Sequence, residues 1–312
     1  MSLLEHIALA VDFSSPSEAA ARAVFRLARI ASARRVTLLH AERGVVRPRE
    51  DVPRRDALED LERRIGAAAK AQLEALAARC GAAGLPIDHR VVFGRPRDAI
   101  ADAAREVGAT LLALGTHQRT GLTRLIRGSI AEQILERAHL PTLLLHAEDG
   151  ATEPAEALAS LERVVIGVDR IDALPLVDGV AAFVESIGRK SATLVLVHAV
   201  ISPHRLGEIE LEGAAAALGA LQDGLQAQAQ SQLAALARSL EARGHRVETH
   251  VLLGEAAETI LANARGAGLV VVGSHGLGRA PRLGIGTTAQ EIVRAAEVSV
   301  LLVPNRPDDE DA

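Results

Sequence analysis

Trp and Tyr are absent from this chain of 312 residues, and Phe occurs four times. A core without rings must be built from Ala, Val, Leu and Ile, and a bound adenine would sit between aliphatic walls. Binding of single-stranded nucleic acid, which relies on aromatic platforms for the bases, is not expected. Cysteine occurs once, at Cys80; no internal disulfide can form, and the thiol reads as a small packing residue in a reducing compartment. No apolar run approaches the roughly 20 residues of a membrane-spanning helix. Met1 to Glu5 leads into a strand pattern without the basic and extended apolar regions of a secretory leader, so the expectation is a cytoplasmic protein. The formal net charge of −5 supplies no general attraction for nucleic acid or an anionic membrane. Two familiar phosphate motifs are missing as well. There is no Gly-x4-Gly-Lys-Ser/Thr loop, and no Gly-x-Gly-x-x-Gly follows the acids Asp12 and Asp169.

What is present is a duplication. Gly273-Ser274-His275-Gly276 is followed by nine residues and then Gly286-Thr287-Thr288. Gly115-Thr116-His117-Gln118 is followed by nine residues and then Gly128-Ser129. Other blocks recur in the same order: 7–12 with 164–169, 36–41 with 193–199, 91–94 with 251–254, and 142–145 with 300–303. The period is about half the chain, far longer than solenoid repeats, so each copy is a whole domain. We read domains over residues 1–148 and 161–306, a linker over 149–160 and an acidic tail over 307–312.

In each half, short runs rich in Val, Ile and Leu alternate with Ala-rich helical stretches. Strands that are apolar along their whole length are buried on both faces, hence parallel, and strand–helix alternation gives a doubly wound α/β layer. The pattern predicts strands near 5–11, 35–41, 87–93, 110–115 and 141–147, with helices near 16–32, 55–82, 96–107 and 128–138. In the second half it predicts strands near 162–169, 192–199, 246–253, 268–273 and 298–304, with helices near 172–188, 208–243, 255–266 and 287–297. Residues 155–161 could add a helical turn.

The glycine segment follows the fourth strand of each half, where open parallel sheets bind ligands. Glycines let backbone N–H groups approach an anion, and a helix N-terminus favours negative charge. Thr287 and Thr288 add hydroxyls there, and Arg279 and Arg282 could add charge. A triphosphate fits that chemistry. The alternative is a Gly-rich connection that only turns the chain.

The motif and the matched blocks resemble the universal stress protein family in its tandem form. The resemblance rests on Gly-x2-Gly-x9-Gly-Ser/Thr, Val11-Asp12-Phe13-Ser14, Leu39-His40-Ala41, and Arg119 to Leu122 before Gly128-Ser129-Ile130-Ala131. It implies two five-stranded parallel, Rossmann-like sheets of order 3-2-1-4-5, binding of ATP with magnesium carried on its phosphates, and pairing of two such domains within one chain. A homodimer is also within its range. By the same resemblance Asp12 and Asp169 contact the adenosine, and Ala41 and Ala199 meet the base edge. Gly273, Gly276, Gly286 and Thr287, with Thr288 adjoining, hold phosphate in the second domain; Gly115, Gly128 and Ser129 match in the first. Gln118 replaces a motif glycine. If that position needs a left-handed backbone, the cost is roughly 1–2 kcal/mol, about tenfold in affinity, so the second site is expected to be the better one. Arg170, after Asp169, could instead crowd a base or neutralise the acid.

His40, His117, His198 and His275 recur at matched positions but lack further ligands at metal spacing, so packing or loop hydrogen bonds are expected. Arg95, Arg97, Arg119, Arg124 and Arg127 read as phosphate attraction or as solvated charge. No nucleophile–base pair stands out. The leading function is a cytoplasmic ATP-binding regulatory module of a stress response. Its rivals are a slow ATPase and a nucleotide-free, chaperone-like interaction protein.

Overall fold

The computed structural model describes residues 2–44, 55–117, 130–147, 154–159, 161–169, 173–200, 214–274 and 286–304. The chain divides into two units, Met1–Ala159 and Ser160–Ala312. The first carries β1 (His6–Ala10), α1 (Ser15–Ile30), β2 (Arg35–Glu42), α2 (Arg55–Arg79), β3 (Ile87–Phe93), α3 (Pro96–Glu106), β4 (Leu111–His117), α4 (Ile130–Ala138), β5 (Thr142–Ala147) and α5 (Pro154–Ala159). The second carries β6 (Arg163–Gly167), α6 (Leu174–Ser186), β7 (Thr193–Val200), α7 (Ala214–Ala242), β8 (Arg246–Leu253), α8 (Ala256–Asn263), β9 (Leu269–Gly273), α9 (Thr287–Ala295) and β10 (Ser299–Val303).

Within each unit the five strands are parallel, in the order β3-β2-β1-β4-β5 and β8-β7-β6-β9-β10. This is the doubly wound parallel sheet that the apolar runs imply, in the 3-2-1-4-5 order that the family resemblance implies. Its cause is burial on both faces. Ile7, Ala8 and Leu9 of β1, like Val164, Val165 and Ile166 of β6, have no accessible surface. Residues pointing to either face of these strands are sealed, so polar alternation is missing. With this order, the right-handed rule for parallel crossovers puts α1 and α2 on one face of the first sheet and α3 and α4, which touch each other, on the other. The strand order reverses beside β1 and, in the second unit, beside β6.

Helix α1 shows why small residues dominate. Ser14 is its N-cap and accepts from the Ser17 N–H, and Pro16 occupies the first turn. Ala19, Ala20, Ala21, Ala23 and Ala28 are buried, which lets the helix axis lie close to the sheet, while Phe25 and Leu27 fill the gaps. Burying a side chain such as Phe25 contributes about 1.5–3 kcal/mol. The same helix packs on β4 and β5 and on α5. Helix α5 falls in the stretch read as a linker, and Leu158 buries almost fully there.

The second unit holds a charged cluster against its core. His245, whose side chain has no exposure, lies with Nε2 2.8 Å from Glu185 Oε1, and Arg243 donates to Glu185 and Asp178 at 3.1 Å. Burial works to raise the Glu185 carboxyl, but the His245 hydrogen bond and the Arg243 charge outweigh it and hold it below the usual carboxylate range. A depressed carboxylate stabilises the fold at pH values above its unfolded pKa, and that contribution disappears as pH falls through the folded value. Glu185→Gln is therefore expected to lower stability at neutral pH and to flatten the acid limb below about pH 4.5. Denaturant midpoints measured across that range check it; an unchanged acid limb would contradict the assignment.

Candidate functional site

The carboxyl ends of β1, β2 and β4 in the first unit, and of β6, β7 and β9 in the second, carry the residues singled out from the sequence. Their arrangement begins with how the first strand ends. Val11 N–H donates to Leu39 O at 2.8 Å, and Val168 N–H donates to Val197 O at 2.9 Å, so each valine prolongs the parallel ladder by one bond. In that register the valine carbonyl would next accept from the N–H of Ala41 or Ala199. A histidine takes it instead. His40 Nδ1–H donates to Val11 O at 2.7 Å, and His198 Nδ1–H donates to Val168 O at 2.7 Å. A carbonyl can only accept, which fixes Nδ1 as the protonated nitrogen of that pair. Among the described residues, neither alanine N–H makes a backbone hydrogen bond to that carbonyl. The ladder therefore closes on a side chain and leaves a strand-end amide beside the turn.

The turn that follows carries the acid. Asp12 is exposed, and its Oδ1 accepts from the Ser14 N–H at 3.0 Å and from the Ser14 hydroxyl. The Ser14 Oγ in turn accepts from the Ser17 N–H at 3.4 Å, tying Asp12 to the first turn of α1. Asp169 is likewise exposed at the end of β6. Between Asp12 and Ser14, Phe13 adopts φ 62°, the left-handed region, at a cost of roughly 1–2 kcal/mol for an L-residue. Its ring centroid lies 4.6 Å from that of His40, at an interplanar angle of 46°. An aromatic ring thus stands next in the chain to Asp12. The signal was Phe13 itself, and a left-handed Phe is what local propensity argues against.

Gly115, inside β4, meets a demand unrelated to ligands. A Cβ there would lie 2.3 Å from Pro16 O and 2.9 Å from Ser17 N. The start of α1 is pressed against the strand, and only glycine leaves room. His146 stands next to this position on β5, with Nδ1 3.1 Å from Thr116 Oγ1. Burial pushes its pKa down to about 4, so at neutral pH it brings no positive charge to the first site.

In the second unit, both ends of the glycine segment meet. Ser274 N–H donates to Val303 O at 2.9 Å, and Gly286 N–H donates to Ser274 O at 2.8 Å. Gly286 is the N-cap of α9 with φ −59° and ψ 150°, and glycine brings no capping side chain of its own. Any residue could adopt that backbone, so what glycine contributes at 286 is the missing side chain. The first N–H groups of α9, at Thr287 and Thr288, thus lie beside the end of β9 without a cap from the N-cap residue. Thr287 is exposed and Thr288 half-buried, while Gly273 and Ala199 are half-buried at their strand ends. Gly276, Gly128, Ser129, Gln118, Arg170, His275, Arg279, Arg282, Arg119, Arg124 and Arg127 lie outside the described residues, as does the 307–312 tail. Among the described residues no group of His, Cys, Asp and Glu is placed to hold a metal ion, and no helix is long and apolar enough to cross a membrane.

Two doubly wound units with matched strand-end turns define a tandem Rossmann-like protein. The profile of the universal stress protein family matches residues 4–146 and again 161–304. The chain belongs to that family, in its two-domain form. Universal stress protein Rv2005c of Mycobacterium tuberculosis is 26% identical over 224 residues, covering 70% of this chain and 69% of its own length. Universal stress protein Rv1996 of the same organism is 25% identical over 237 residues, covering 75% and 71%. The crystal structure of a universal stress protein from Archaeoglobus fulgidus superposes with a TM-score of 0.69 at 18% identity, over 96% of this chain and 98% of that one, a likeness of fold.

Gly115→Ala is expected to destabilise the first unit by about 1–3 kcal/mol or more, because the clash is with helix backbone rather than with a side chain that can swing away. Equilibrium unfolding in urea measures it. A midpoint equal to wild type would show that α1 is free to move off β4.

Proposed function

We propose that this chain is a nucleotide-binding regulatory protein of a cytoplasmic stress response, with ATP as its ligand and the second domain as its principal site. The phosphates sit at the N-terminus of α9 and the end of β9, where Gly273, Gly286, Thr287 and Thr288 offer amides and hydroxyls. Gly276 completes the glycine pattern in sequence. Asp169 contacts the adenosine, and the Ala199 amide, released from the ladder by His198, donates to the base edge. Magnesium arrives on the phosphates, which with water supply most of its ligands.

The observation that carries this reading is the Gly286 N–H to Ser274 O bond at 2.8 Å, which returns an uncapped helix start to the end of β9. A helix N-terminus favours an anion through its open amides and its dipole. The family resemblance supplies the adenine nucleotide. No observation here favours hydrolysis, so the protein is read as a binding module.

Calorimetry with ATP tests the site through Gly286→Asp. An N-cap Asp suits the observed backbone, so the variant should keep or slightly raise its unfolding midpoint. Its carboxylate would occupy the open amides and repel phosphate, and ATP affinity should fall at least about tenfold, on the scale of a lost charge-assisted bond. Undiminished affinity would remove the phosphates from α9.

His198→Leu tests the base end separately. Without the imidazole, the Val168 carbonyl becomes free to accept from the Ala199 N–H, and the base loses its donor. Affinities for adenosine and ATP are expected to fall by a similar factor of about tenfold. An equal loss for inorganic triphosphate would mean that His198 acts on the phosphate end instead.

A further inference from the structure

Phe13 breaks two ordinary rules at once. It is one of four aromatic side chains in the chain, and it holds φ 62°, where a bulky residue is a genuine outlier. Backbone strain of this kind persists when the surrounding structure imposes it, and it clusters at ligand sites. Full burial does not account for it. Phe25 and Phe183 are 1% exposed, whereas Phe13 is only half-buried.

What holds the ring is a fixed histidine. His40 is tethered through Nδ1 to Val11 O at 2.7 Å, and its Nε2 lies 3.2 Å from Glu42 Oε1. Phe13 leans on that imidazole with ring centroids 4.6 Å apart. On its two sides in the chain are Asp12 and Ser14, themselves tied together. The ring is therefore braced against His40 of β2 beside the topological switch point, in a residue that is only half-buried. The aligned residue of the second half is Arg170.

We propose that Phe13 is a base-stacking residue, so that the first domain grips a purine nucleoside or nucleotide chiefly by its base, whereas the second domain grips by phosphate. This rests on the adenine-nucleotide reading above and adds a specificity residue and a ligand preference to it. Removing an aromatic on which a base stacks lowers affinity by about 5- to 150-fold.

The chain has no Trp and no Tyr, so Phe13→Trp places a single indole at the proposed contact. Adenosine and ATP should quench its emission in a saturable way, and inorganic triphosphate and ribose 5-phosphate should not. In the Asp169→Ala background, which weakens the second site, calorimetry reads the first domain. There Phe13→Gly, which accepts the observed φ, should lose adenosine affinity about tenfold or more. Unchanged adenosine affinity in Phe13→Gly overturns the inference, as does silent indole emission while calorimetry records adenosine in the first domain. If Asp169→Ala abolishes all binding, the first domain is empty; the inference fails and the second-domain reading stands. If wild type binds no adenine nucleotide, both fail.

Discussion

Each half of the molecule hangs the carboxyl edge of its sheet on one carbonyl. At Val11 and at Val168 the main-chain N–H is inside the sheet and the C=O is just outside it. A parallel ladder left to itself would bond that oxygen to the next amide of the neighbouring strand. The imidazole of His40 or His198 takes the oxygen first. Two consequences follow from this substitution of side chain for main chain. The turn leaves the strand in a fixed direction, so the acid after it is presented at the sheet's carboxyl edge. The displaced amide, at Ala41 or Ala199, is left at the rim of the same edge. A buried donor would be costly if orphaned, but both alanines are only half-buried, where water or a ligand can satisfy the N–H.

The steric counterpart is the contact of α1 with β4. Ser14 caps α1 and bonds the acid before it, so the position of Asp12 and the position of the helix start are one constraint. The helix start then presses on Gly115. A glycine placed in a phosphate motif by its sequence context thus has a packing duty as well. This matters for reading such motifs, because loss of binding on changing the glycine would mix two causes. Gly286 differs: its backbone is unexceptional, and the two duties are separable there.

Much of this was legible without coordinates, for a physical reason. Strands sealed on both faces, such as 7–9 and 164–166, need apolar residues throughout, so their runs stand out at any register. The glycine segments mark strand ends, and the duplication confirms each landmark by its twin. Helix α5 was legible only as a possible turn, since six residues cannot display a periodic face, and its burial depends on α1 far away in sequence. The recurrence of His40 and His198 was visible, but their acceptor was not, because the carbonyl lies 29 or 30 residues away. The backbone of Phe13 was invisible: propensity assigns left-handed positions to Gly and Asn, and only tertiary structure overrides that preference.

The two halves keep the clamp and differ in what surrounds it. His40 has Glu42 beyond it and Phe13 against its ring, whereas His198 has the buried Val200 two residues on, and Arg170 is the sequence counterpart of Phe13. A clamp made of one imidazole and one carbonyl tolerates such change, because neither partner depends on the flanking side chains. The flanks are then free to diverge while the acid and the strand-end amide stay in place. Duplication followed by drift at these positions leaves two strand ends with the same histidine–carbonyl clamp and different flanking side chains.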